Sequence, residues 1–195
     1  EQDPADVAPG EVYRISDLEL ASRLSFFLWS SFPDEELLTI AEAGQLRDPA
    51  TLKRQVSRMI ADSRFERFVG NFGRQWLAVR DVDIADPNLS LFPKFDDELR
   101  EAFKQEILLW FASMVRNNDS VIELLTSDYT YVNERLAEHY GLPGIYGSRF
   151  RPVELTMDPL RHGIFGKGGL LTATAYNNRT SPVVRGKWVL ENLLN

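Results

Sequence analysis

The stretch DDELREAFKQEILLWFASMVR, residues 96–116, decides the fold class. Leu99, Phe103, Ile107, Trp110 and Met114 recur at spacings of three and four, which gathers them on one side of an α-helix. The strict alternation of a half-buried strand is absent. Asp96 or Asp97 opens this helix, because a short acidic side chain accepts from the free amides of the first turn. Glu106 interrupts the stripe, three residues after Phe103 and four before Trp110, so it falls on the buried face. A carboxylate there must find a cation or hydrogen-bond donors, or take a raised pKa. The expectation is a structural pair with an arginine such as Arg74 or Arg135; the alternative is a general acid.

Working outward, the same cap-plus-periodicity signals recur. Ser16 and Glu19 form a capping box for a helix that runs to about Trp29. Pro33 sits in the first turn of a second helix, which Gly44 stops. Asp48-Pro49 opens a third, with Leu52, Val56, Met59 and Ile60 on its apolar face. A fourth runs from about Ser63 to Val79, and Asp81 to Lys94 reads as a loop. Ser120 to Glu123 is a further capping box, and Asn133 opens a short helix that Gly141 closes. Residues 142–169 are rich in Gly and Pro and allow only short strands or loops. Ser181-Pro182 then begins a last helix. The fold class is mainly α: a multi-helix, bundle-like domain with an irregular Gly/Pro-rich segment before the C-terminal helix. Residues 1–14 read as an arm or linker, 15–141 as the helical domain, and 142–195 as a loop-rich segment and helix packed on it.

The 195 residues carry a formal charge of −7, which argues against a nucleic-acid footprint. The balance is uneven. Residues 144–195 hold seven Lys and Arg against three Asp and Glu, a net of +4; the preceding 143 hold 15 against 26, a net of −11. Either the two parts attract each other, or the C-terminal part builds an anion site. No apolar run approaches the roughly 18 residues of a membrane span. There is no cysteine, so disulfides and covalent haem attachment are excluded and no cofactor is expected in this stretch. Two histidines, His139 and His162, are too few for a His-rich metal site. The chain starts without Met and stops within an apolar helical pattern, which reads as an excised piece.

Catalytic motifs are missing: no nucleophile elbow, no zincin helix, no Walker loop, no dinucleotide fingerprint. Gly163-Ile-Phe-Gly-Lys-Gly168 has the wrong glycine spacing for phosphate and no hydroxyl after Lys167. His139 falls in the last turn of its helix, where the dipole favours a protonated imidazole and a structural role. The densest polar constellation is Arg179, Thr180, Ser181, Arg185 and Lys187. Its hydroxyls and free amides lie at a helix start, and its arginines can clamp an anion there or pair with acids of the body.

Residues 19–31 (ELASRLSFFLWSS), 33–37 (PDEEL), 128–137 (DYTYVNERLA) with His139-Tyr140-Gly141, and 179–188 (RTSPVVRGKW) are similar to a known family. They resemble the helical domain of unknown function, with the short segment after it, of large planctomycete cytochrome-like proteins. The resemblance implies an exported, extracytoplasmic multidomain chain whose haem segment lies elsewhere and whose partners are its other domains. It assigns no role to any residue. The expected function is a non-catalytic module that docks partner domains or binds an anionic ligand. The alternatives are a glycoside or ester hydrolase using Glu106, with His139 as a second candidate, and a carbohydrate-binding module.

Overall fold

The computed structural model describes residues 12–155 and 161–194. Most of the arm expected over 1–14 therefore lies outside the described residues. The fold is mainly α, as the periodicity requires, with two small two-stranded sheets. It divides into two compact units between Phe68 and Val69.

The first unit holds α1 (Asp17–Trp29), α2 (Glu35–Glu42) and α3 (Pro49–Ala61). The capping box is present: Ser16 Oγ accepts from Glu19 N at 3.2 Å while Ser16 N donates to Glu19 Oε2 at 2.6 Å. Asp34, and not Pro33, begins α2 by accepting from Leu37 N, so Pro33 precedes the cap. Trp29 is fully buried, its indole N–H donates to the Met59 carbonyl at 2.9 Å, and the Arg64 guanidinium lies 3.4 Å above its ring. Asp34 binds Arg58 at 2.7 Å and Arg64 at 3.3 Å, which holds its carboxyl down at about 2. A short 3₁₀ turn (Ser63–Phe65) and one α-turn, α4 (Glu66–Phe68), complete this unit.

The helix expected over 63–79 is thus not continuous. After α4 comes a π-turn (Val69–Gly73), then α5 (Arg74–Trp76), and Ala78 closes the run in the left-handed region at φ 57°. The packing gives the reason for a glycine in the wide turn: a Cβ on Gly73 would stand 3.0 Å from the Phe111 ring. The expected loop from Asp81 begins instead inside a helix, α6 (Val79–Ile84).

The second unit is organised on α7 (Asp97–Asn117), capped by Asp96, whose Oδ1 accepts from Leu99 N at 2.7 Å. Its stripe is buried as the spacing demands, with Trp110 and Ile107 fully enclosed. Each such side chain contributes roughly 1.5–3 kcal/mol. The expected capping box at Ser120 is absent: its Oγ accepts only weakly from Ile122 N, and α8 (Glu123–Thr126) has no side-chain cap. β1 (Tyr129–Val132) pairs antiparallel with β2 (Arg151–Glu154), Tyr129 opposite Glu154. Between them α9 (Glu134–Tyr140) starts at Asn133 and ends at Gly141, φ 70°, as read.

A 3₁₀ turn (Ile164–Gly166) leads to α10 (Gly168–Ala173), which the loops-and-strands reading of 142–169 did not foresee. Gly168 and Gly169 permit it, because Cβ atoms there would come within 2.2 Å of the Phe103 ring and 2.7 Å of Ile107. The tight hairpin β3 (Ala175–Tyr176) and β4 (Arg179–Thr180) turns through Asn177-Asn178. Ser181 then caps α11 (Pro182–Asn192), accepting from Val184 N at 3.2 Å with Pro182 in the first turn. Among the described residues no helix is long and apolar enough to cross a membrane.

Candidate functional site

Within the second unit, α7, α9 and α10 meet the loop before α7 and the β3–β4 hairpin around a cavity of about 710 Å³. The loop contributes Phe92 and Phe95, and the first turns of α7 contribute Leu99 and Phe103. Leu171 of α10 and Tyr176 of the hairpin complete a mostly hydrocarbon wall. One backbone bond, from Asn88 N to the Asn177 carbonyl at 2.8 Å, ties loop to hairpin.

Four cations also face this space: Lys94, Arg161, Arg179 and Arg185. Among the described residues no Asp or Glu lines it. Elsewhere several cations are engaged: Arg47 binds Asp17, Arg58 binds Asp34, Lys104 binds Asp83, and Arg135 binds Asp96. Lys94, Arg179 and Arg185 form no ion pair among the described residues. Arg185 instead folds back along its helix, its Nη2 donating to Thr180 Oγ1 at 3.1 Å and its Nε reaching Thr174 Oγ1 at 3.4 Å. Arg179 stands 5.2 Å over the Tyr176 ring, its neighbour across the hairpin, and Arg161 lies 4.1 Å over Tyr140.

The constellation read from the sequence is therefore split. Arg179, Thr180 and Arg185 share the cavity wall. Ser181 is buried as the helix cap, and Lys187 points elsewhere, exposed and 3.6 Å from Glu191. The positive region faces the cavity beside α11, rather than the amides of its first turn.

His139 does lie in the last turn of α9, but the helix-dipole expectation fails there. Burial, and then the positive charges of Arg161, Arg135 and Lys94, push its pKa below 6.5. Its ring packs edge-on against Phe103 at 5.3 Å and lines the cavity.

Glu106 has no exposed surface, yet neither Arg74 nor Arg135 is its partner. Its Oε1 accepts from Thr130 Oγ1 at 2.6 Å and its Oε2 from the Tyr140 hydroxyl at 2.7 Å. The Tyr140 oxygen in turn accepts from Gly168 N at 2.7 Å. Lys167, also fully buried, donates to the Tyr129 carbonyl at 2.7 Å and lies 4.9 Å over Trp110. Burial raises the Glu106 pKa and lowers that of Lys167 to about 8, so desolvation outweighs their mutual attraction. Tyr140 separates this network from the cavity. Its hydroxyl, bound to a buried carboxylate, titrates far above the ordinary range.

Lys94, Arg161, Tyr140, Thr172 and Tyr176 were not singled out from the sequence. The positive balance of residues 144–195 was the one signal pointing to part of this set. Among the described residues no group of His, Asp and Glu is placed to hold a metal ion.

A family model described as PSD4, protein of unknown function (DUF1592), matches residues 15–142. A second, described as PSCyt3, protein of unknown function (DUF1588), matches residues 161–195. Both agree with the resemblance to planctomycete cytochrome-like proteins carried by residues 19–31, 128–141 and 179–188. No curated protein and no solved structure matches the chain.

Proposed function

We propose, for a chain that belongs to the PSD4 family of proteins of unknown function (DUF1592), the role of an anion-binding module within a larger, extracytoplasmic, cytochrome-associated protein. The observation that carries this reading is the cavity wall. Lys94, Arg179 and Arg185 line it without carboxylate partners among the described residues, in a chain whose net charge is −7. Lys94 and Arg179 are exposed and Arg185 half-buried, so an anion that enters the recess meets several positive groups beside an apolar wall and can take charge-assisted hydrogen bonds from them. The compartment and the larger chain rest on the family resemblance.

The module is a binder rather than a hydrolase on this reading. A glycosidase needs two carboxylates facing one cleft. Among the described residues the cavity wall has none, and Glu106 lies behind Tyr140 with both oxygens taken by hydroxyls.

Thermal melting with a panel of phosphate, acetate, decanoate and 2-naphthoate tests the reading. At about a hundredfold excess over Kd, at least one of these anions stabilises the protein by about 2.7 kcal/mol, which raises the melting temperature by roughly 5–10 °C. Arg179→Ala and Arg185→Ala remove most of that gain, and high salt reduces it. Equal stabilisation of parent and both variants, or none by any anion, sinks the proposal.

A further inference from the structure

We infer that the ligand of this cavity is an aromatic carboxylate, an inference that rests on the anion-binding reading above. The volume argues first. A water molecule's share of liquid is about 30 Å³, so a simple inorganic ion occupies a small part of about 710 Å³. Such an ion leaves most of the space as water against Phe95, Leu99 and Phe103, whereas a hydrocarbon body removes that water at roughly 25 cal/mol per Å². Cavities of this size with apolar walls and a few placed polar groups suit organic molecules.

The distribution of polar groups argues second. Arg179, Thr180 and Arg185 come from the hairpin and the start of α11, while the rings of Phe95 and Phe103 come from the loop and α7, with Lys94 next to Phe95 as a further cation on the loop. Arg185 is oriented by Thr180 and Thr174, so its side chain is held before any ligand arrives. A ligand charged at one end and apolar at the other matches both walls at once. The planar surfaces argue third. His139 against Phe103, Arg161 on Tyr140 and Arg179 on Tyr176 present ring edges and flat guanidinium faces, to which an aromatic body fits with favourable quadrupole contacts. The carboxylate takes the Arg179–Arg185 end, and the ring lies toward Phe95 and Phe103.

Isothermal titration of the chain with 2-naphthoate, acetate, decanoate and the uncharged 2-naphthamide tests this. Naphthoate binds about tenfold or more tightly than each of the other three, and Arg179→Ala weakens it by about the same factor. Arg185→Gln serves as a second variant, and unchanged circular dichroism shows that both remain folded. Acetate matching naphthoate overturns the aromatic body and leaves the anion reading standing. Decanoate matching or exceeding naphthoate overturns aromaticity alone. Naphthamide matching naphthoate overturns the need for charge and the anion reading with it. No binding by any of the four, together with no stabilisation by phosphate, overturns both.

Discussion

Two residues concentrate the physical tension of the second unit. Glu106 is a carboxylate without exposed surface, held by two hydroxyls and facing the charge of Lys167. In Glu106→Gln, an amide nitrogen meets a hydroxyl that was donating, and Lys167 loses its counter-charge. The expected cost is about 1–3 kcal/mol, read as a fall in the denaturation midpoint at unchanged slope. His139 works the other way. Its folded pKa lies below 6.5, so the folded protein resists protonation. Stability is whole above pH 6.5 and falls as the pH drops through that value toward the folded one. His139→Gln flattens this part of a melting-temperature profile, and a bound anion, by offsetting Arg161 and Lys94, raises the pKa and binds more tightly as the pH falls. That Glu106 is buried follows from its place in the stripe. Its partners do not, because Thr130, Tyr140 and Lys167 reach it from elements whose arrangement no local spacing encodes.

At the level of elements, most of the cap signals survive. Ser16 with Glu19, Asp48 with Pro49, Asn133 with Gly141 and Ser181 with Pro182 all act where they were read. The capping box at Ser120 fails locally, and the other failures came where a distant neighbour decides. The run from Ser63 has helical spacing, but the approach of Phe111 to Gly73 accompanies a π-turn. The Gly-rich segment reads as loop, yet its glycines let α10 press on α7. Gly163 shows how strict such packing is: at φ 49° and ψ −150° its missing Cβ would stand 2.4 Å from the Leu124 carbonyl oxygen. Gly163→Ala is therefore expected to cost 3 kcal/mol or more, on the order of a left-handed strain plus an overpacking cost. Gly44→Ala, where φ is 68° with open space around it, carries the strain alone and costs about 1–2 kcal/mol. Urea titrations of the two variants side by side check the difference; equal midpoints would show that the backbone near Leu124 yields.

For the molecule as a whole, the helical class and the absence of familiar catalytic motifs were legible, since both are sums of local features. The cavity was legible only through its charge: a positive C-terminal part on an acidic chain. Much of its apolar wall lies near residues 92–103, whereas Arg179 and Arg185 lie some eighty residues further along. That separation has a consequence in time. During synthesis, before Arg179 and Arg185 exist, α7 and α9 have emerged. Closing the β3–β4 hairpin and α11 onto them is a long-range event, slow to nucleate because the intervening chain must first be ordered. The recess is completed last, and a nascent chain arrested at Ala173 would already carry α7, Lys94 and Arg161 while still lacking Arg179 and Arg185.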